Sequence, residues 1–258
     1  MAFVNLGAGT RTTGHGLNMD RGPAYQLQRW GLLRPQVISW VSPIVGPERA
    51  KRLRPLCNHA LAYADLCKGL PLPDGSVQAL YHCHLLEHLD RPDAKKLMAE
   101  SIRVLAPGGL LRICVPDLKG KVDRYLASFT QAERGDQSAA EHDRRIASLY
   151  GQSVRRRSGG DNRPPPKSLG RRLVRFVETL LLGDARARGE THQWMYDALT
   201  LRAAFETAGF TDIVEQQIGV SGIAHWPEIA KELEWGDDNR PWAPNSLYME
   251  GRKAHSPD

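Results

Sequence analysis

The sequence is short of several things. No apolar run approaches the roughly 20 residues that a helix needs to cross a bilayer. The longest candidate, VETLLLG at 177–183, falls far below that length. No basic start followed by an apolar stretch marks the N-terminus, so no signal peptide is expected. Cysteine is scarce: Cys57, Cys67, Cys83 and Cys114 are scattered, with no CxxC pairing. That spacing excludes a disulfide framework and a structural zinc site. Cys83 and Cys114 fall at strand-like positions, as small buried hydrophobes do. No internal repeat is present. Together these absences point to a reducing, cytoplasmic setting.

What is present suits a globular domain. The 258 residues are 41% apolar and 25% charged, enough for a packed core. A single domain over 1–258 is expected. The formal charge of +6 is local in origin. Residues 154–175, VRRRSGGDNRPPPKSLGRRLVR, hold seven Arg and one Lys against one Asp, and elsewhere the two signs nearly balance. Such a strip reads as a solvated loop or as a contact for an anionic group.

Strand-like and helix-like segments alternate along the first half. FVNLGAG is an apolar run ending in glycines, and GLNMD is a second short strand. PERAKRL at 47–53 reads as a short helix with Pro47 in its first turn. HALAYADL at 59–66 and VQALYHC at 77–83 are the third and fourth strands. A helix follows to Leu105 with Asp90 placed to cap it, PGG at 107–109 ends it, and LLRICVP at 110–116 is the fifth strand. This rhythm argues for a parallel sheet in an α/β layer fold. It stops after Asp117. Helical stretches are expected at 120–134, 139–150 and 169–182, then LTLRAAFETAGF as a helix closed by Gly209, then strands at TDIVEQQI and SLYMEGRK.

Residues 65–117 carry ordered motifs: Asp65-Leu66, then LPLPDGS at 70–76, Leu86-Glu87-His88, and Pro107-Gly108-Gly109. Their order and spacing resemble the core of class I S-adenosylmethionine-dependent methyltransferases, a far more specific signal than a lone GxG. NLGAG and GLNMD resemble the first two strands of that family. HQWMYD from His192 is similar to a C-terminal signature of a branch associated with surface glycans or specialised metabolites. The resemblance covers roughly 1–118 and 190–252. It implies a Rossmann-like, mostly parallel seven-stranded sheet with helices on both faces. It also implies a terminal antiparallel strand pair, and a helical or loop lid inserted over 117–196.

The resemblance also implies S-adenosyl-L-methionine as cofactor and a set of residues to hold it. Asn5, Gly7, Ala8 and Gly9 would face its methionine part, because glycine lets backbone approach a ligand closely. Asp20 would accept hydrogen bonds from the ribose hydroxyls, and Asp65 with Leu66 would meet the adenine. His82 and Cys83, at the end of the fourth strand, would lie beside the sulfonium. His84, His88 and His192 are the candidate bases, since an imidazole titrates near neutrality. His192, Trp194 and Tyr196 would contact the acceptor, with anchoring of the lid as the other reading of the two aromatics. Within the LEH motif Glu87 reads as a helix-start or network residue, and no metal is expected.

Methyl transfer needs an aligned nucleophile, and an oxygen nucleophile also needs a base. The histidines therefore favour O-methylation of a small molecule or glycan hydroxyl. RNA or protein methylation through the basic strip is the alternative, although HCHL stands where base-modifying relatives carry an NPPY-like tetrapeptide. A cofactor-binding module without catalysis is the third reading. Oligomeric state is not legible. One oddity remains: only six residues, Thr10 to His15, separate Gly9 from Gly16, where a crossover helix normally stands. A single helical turn is expected there, leaving a thin pocket wall that 21–58 would cover.

Overall fold

The computed structural model describes residues 2–22, 59–151 and 192–255, with single positions between 23 and 58. The expected helices at 47–53 and 169–182 and the basic strip lie outside the described residues. Seven strands form one sheet: β1 Phe3–Leu6, β2 Leu17–Asp20, β3 Leu61–Tyr63, β4 Val77–Cys83, β5 Leu105–Pro116, β6 Phe210–Gln216 and β7 Ser246–Lys253. Their order is β3-β2-β1-β4-β5-β7-β6. The first five run parallel, and β7 lies antiparallel to both β5 and β6. This is the mostly parallel sheet with a terminal antiparallel pair that the sequence implied. No helix among the described residues is long and apolar enough to cross a membrane.

Strand residues alternate between two faces, so each face buries its own layer. Val4, Leu6, Leu80, Leu111, Ile113, Leu247 and Met249 meet helix α1, Arg91–Val104, and helix α4, Ala198–Ala208, on one side. Both helices expected there are found. α4 is closed by a reciprocal cap, with Asp197 accepting from the Thr200 N–H at 2.8 Å, and it ends at Gly209. At α1 the cap differs from expectation. Asp90 occupies the N-cap position with extended backbone, but its side chain makes no cap hydrogen bond. The fifth strand also begins earlier than expected, directly after Val104, so that Pro107, Gly108 and Gly109 form an irregularity within β5 rather than a turn before it.

On the opposite face Phe3, Ala79, Tyr81 and Leu110 pack against Trp226, Ile229, Ala230 and Leu233 of α5, Trp226–Leu233. This helix is not among the elements expected from the sequence. α5 bears on the missing crossover helix. β1 and β2 are parallel, yet residues 10–16 hold turns and irregular backbone with no helical turn. The connection is held instead by side-chain amides. Asn18 Oδ1 accepts from the Thr13 N–H (2.9 Å) and from Asn5 Nδ2 (3.1 Å), and Asn18 Nδ2 donates to the Thr13 carbonyl (2.9 Å). Glu232 of α5 accepts from the Thr13 hydroxyl and the Gly14 N–H, and Arg11 donates to the Trp235 carbonyl. Gly16 is pressed onto the Phe3 carbonyl, where a Cβ would collide with backbone. The wall expected to be thin is therefore backed by α5. Most of segment 21–58, expected to cover it, lies outside the described residues.

Arg112 of β5 joins these parts. It is fully buried, with Glu234 Oε1 2.8 Å from Nε, Glu250 Oε1 2.9 Å from Nη1, and the carbonyls of Val220 and Gln217 at 2.7 and 3.0 Å. The rings of Trp226 and Tyr248 lie 4.8 and 4.9 Å from the guanidinium carbon. Burial pushes its pKa down, but Glu234 and Glu250 outweigh that and hold it charged. Burial pushes Glu234 above the usual carboxylate range despite the guanidinium.

The chain leaves the sheet at Asp117 and meets it again at Tyr196. Asp117 and Tyr196 form a parallel bridge, and the Leu118 N–H donates to the Tyr196 carbonyl at 3.0 Å. Within this excursion α2, Leu118–Glu133, pairs with α3, Ala139–Gly151, through Ser128, Gln137 and His142.

Removing the cation from the Arg112 network leaves two carboxylates buried. Arg112→Met is expected to lower unfolding stability by about 3–5 kcal/mol in urea titration at neutral pH, and Glu234→Gln is expected to cost less. A loss below about 1 kcal/mol for Arg112→Met would show that the network is not holding the sheet to α5.

Candidate functional site

In an open α/β sheet the ligand crevice lies outside the carboxyl ends of the strands. A cleft of about 180 Å³ lies there, lined by Gly7, Asp20, Arg21, Gly22, Ala64, Leu66, Cys67, His84, Leu85, His88 and Leu89. A larger cavity of about 420 Å³ opens beside Phe3, Ala79 and Leu110, nearer the amino ends of β1 and β4. Topology and the motif residues favour the smaller cleft. β1 runs into Gly7, whose φ of +61° suits glycine, and a Cβ there would lie 2.8 Å from Leu85 Cδ1. Asp20, ending β2, accepts from the Gly9 N–H at 2.7 Å and from the Gly22 N–H. Each carboxylate oxygen keeps a lone pair for a ligand hydroxyl.

The other expected cofactor residues are placed unevenly. Leu66 lines the cleft, but Asp65 is engaged by Arg21 Nη1 at 2.7 Å. Ala8 is buried. Asn5 is buried too, and its amide is spent on the Arg11 carbonyl and Asn18, so its role in the described structure is to hold the β1–β2 connection. Cys83 pairs with Cys114 across the strands and packs towards the α5 layer. His82 is wholly buried and lies outside the cleft lining, with no hydrogen-bond partner on either ring nitrogen among the described residues. Burial pulls its pKa to about 4 despite the nearby Glu87 carboxylate. Arg21, Cys67 and Leu85 line the cleft without having been singled out. Cys67 follows the Asp-Leu pair directly, which was the available signal.

At the far side of the cleft the histidines converge on Glu87. A turn of 3-10 helix at Leu86–His88 follows β4, and Glu87 in it is fully buried. His84 Nδ1 stands 3.1 Å and His88 Nε2 3.8 Å from Glu87 Oε1. His84 reaches this position with a φ of +51°, rare for a non-glycine residue, and its Nε2 lies 3.0 Å from the Ser246 hydroxyl. Burial alone would raise the Glu87 pKa; His84, His88 and His192 outweigh it and hold the carboxyl below its ordinary range. Burial likewise depresses His84, but Glu87 overrides it and raises the pKa.

His192 arrives from the return of the 117–196 excursion. The Glu87 carbonyl accepts from the N–H groups of Gln193 (2.6 Å) and Trp194 (3.2 Å), pinning that segment to the 3-10 turn. The His88 and His192 rings then meet edge to face at 4.7 Å. Trp194 stays partly exposed beneath the Arg91 guanidinium, 4.5 Å away. Tyr196 sits in the core, its pKa pushed up to about 12 by burial and then by Glu87. The structure thus brings together Gly7, Asp20, Leu66, His84 and His88 around the cleft and His192 beside His88. It leaves the side chains of Asn5, His82 and Tyr196 in packed surroundings.

A sequence-family profile described as a methyltransferase domain matches residues 45–113. The matched span includes β3, β4, the 3-10 turn and α1. That span, about a quarter of the chain, is similar to a methyltransferase domain. No curated protein matches the chain. Among solved structures the chain is similar to the complex between the Haloferax volcanii Trm112 methyltransferase activator and the putative methyltransferase, at 13% identity over 98% of this chain and 83% of that one, TM-score 0.43. It is similar to a SAM-dependent methyltransferase from Archaeoglobus fulgidus, at 12% identity over 98% and 86%, TM-score 0.43. It is also similar to the YcgJ protein of Bacillus subtilis, at 11% identity over 99% and 92%, TM-score 0.42. The domain match supports a methyltransferase with S-adenosylmethionine as its cofactor, and the sheet order is that of an open α/β layer fold.

Because the folded pKa of His82 lies below the ordinary 6.5, folding favours the neutral ring. Its contribution is fully present above pH 6.5 and is lost as pH falls towards 4. Stability is expected to drop by about 3 kcal/mol over that interval from this group. His82→Phe should remove that part of the slope in urea titrations at pH 7 and pH 4.5. Equal slopes in both proteins would count against a neutral buried His82.

Proposed function

We propose that the protein methylates a hydroxyl of a small molecule or glycan, with S-adenosylmethionine held in the 180 Å³ cleft. The observation that carries this reading is that Gly7, Asp20, His84 and His88 line one and the same cleft. The backbone of Gly7 to Gly9 faces the methionine part of the cofactor. Asp20 takes the ribose hydroxyls, and Leu66 packs on the adenine. Asp65 serves the adenine through the Arg21 pair, which shifts when the cofactor enters.

The backbone of His82 and Cys83 lies beside the sulfonium, and their side chains remain in packing. His84 is the favoured base for an acceptor hydroxyl. Glu87 raises its pKa and fixes its ring, and His84 borders the cleft. His192 and Trp194 border the acceptor, while Tyr196 anchors the lid. The lid is 117–196: its two ends meet at the Asp117–Tyr196 bridge, as an insertion requires. The acceptor enters on that side. The basic strip 154–175 falls within the same insertion, and an acidic acceptor would suit it.

Calorimetric titration with S-adenosylmethionine should show binding at one site, weakened at least tenfold in Asp20→Ala, the change expected when a carboxylate bound to two ribose hydroxyls is lost. A panel of saccharide and phenolic hydroxyl acceptors then reports transfer, with His84→Asn expected to lower kcat more than it raises KM. Unchanged affinity in Asp20→Ala would remove the ribose assignment. Transfer to RNA alone, with steep salt dependence, would replace the acceptor class.

A further inference from the structure

Glu87 presents an electrostatic problem that the cofactor does not solve. Its side chain is wholly buried. Neither oxygen receives a well-aligned hydrogen bond among the described residues, although the His84 and His88 rings stand at ion-pair range. His84 offsets part of this charge from one side, and a buried carboxylate with further imidazoles close by also suits a bound cation. Two imidazoles lie where such a cation would need ligands. One nitrogen each of His88 and His192 and one oxygen of Glu87 all lie within 4.8 Å of one another. Ligands on a tetrahedral ion with bonds of about 2.1 Å are separated by ~3.4 Å, so small side-chain rotations close the set.

We propose that Glu87, His88 and His192 bind a divalent transition-metal cation. Two imidazoles and a carboxylate are the donor set of zinc, cobalt and iron sites with an open coordination position. The surroundings fit such a centre. His84 orients the Glu87 carboxylate, and its other nitrogen meets Ser246, the outer support a ligating carboxylate requires. His88 also lines the cleft, so a cation held there would border the space assigned to the cofactor. The cation would hold an acceptor oxygen there, a role that rests on the methyltransferase reading, whereas the binding itself does not. A second cluster, Cys83, His84 and Cys114, competes for a thiophilic ion. The two are separable because thiolate ligands give cobalt a near-ultraviolet charge-transfer band and the His/His/Glu set does not.

The test uses the full, untagged chain, freed of metal and titrated with Co²⁺ and Zn²⁺ by calorimetry and absorption. One equivalent of Co²⁺ should bind with ligand-field bands and no thiolate charge transfer. His192→Ala should weaken binding at least tenfold, and His142→Ala, on the distant α3, should leave it unchanged. Glu87→Gln should weaken it similarly if its circular dichroism matches the parent; His192→Ala, on a partly exposed segment, decides the matter if it does not. Substoichiometric binding, unchanged affinity in His192→Ala, or a charge-transfer band abolished by Cys114→Ser would each overturn the proposal. S-adenosylmethionine titration of the metal-free protein is read separately. Metal binding without cofactor binding removes the methyltransferase reading alone, and the converse removes the metal site alone.

Discussion

The Arg112 guanidinium is the point on which the tertiary structure turns. It lies in β5, between β4 and β7, and faces the α5 layer. Every donor direction is taken by a residue distant in sequence: Glu234 just after α5, Glu250 in β7, and the loop carbonyls of Gln217 and Val220. A cation buried without this set would be prohibitively expensive. The network therefore requires that β7 lie beside β5 and that α5 cover that face at the same time. α5 in turn reaches β1 and the β1–β2 connection through Glu232, and Trp235 beyond it takes Arg11. Arg112 thus bears on the wall of the cleft from the opposite side of the sheet, and β7 supplies Ser246 to His84.

Glu87 plays the corresponding role at the other side of the sheet. It is buried in a turn next to β4, and its backbone carbonyl and its carboxylate act on the same target. The carbonyl captures the segment returning from the 117–196 excursion, and the carboxylate gathers histidines from both segments. Placement and charge are coupled: anchoring Gln193 and Trp194 delivers His192 to the same buried carboxylate that His84 and His88 meet. The positive φ of His84 belongs to the same arrangement, as backbone strain held by tertiary contacts at a site.

Much of the fold was legible because local signals and tertiary packing agree. β4 and β7 coincide with the apolar runs VQALYHC and SLYMEGRK, and α4 with an amphipathic stretch ending at Gly209. The order of the Asp-Leu, LEH and PGG motifs indicated which strand ends would form the cleft. Failures occurred where a distant partner set the outcome. WPEIAKEL is too short for a periodic signal, and is helical because Trp226, Ile229 and Leu233 are buried by Phe3 and Tyr81. Asn5 followed the glycine motif and was read as a ligand contact, but Asn18 and Arg11 take its amide. Asp90 stands at a cap position with no cap bond, since Pro92 in the first turn removes one donor to be satisfied.

The sequence by itself determined the layered α/β plan, most strand and helix positions, and the glycine, acid and histidine residues available to a methyltransferase site. Those properties reside in period, spacing and turn chemistry within a few residues. Only the tertiary structure decided that a connection without a helix joins two parallel strands, that α5 backs it, and that Glu87 meets three histidines. The reason is physical. The cost of burying a polar group depends on which partners reach it, and here they come from both ends of the chain. A carboxylate in an LEH motif gives no sign of a shared cluster until His192 is folded against His88.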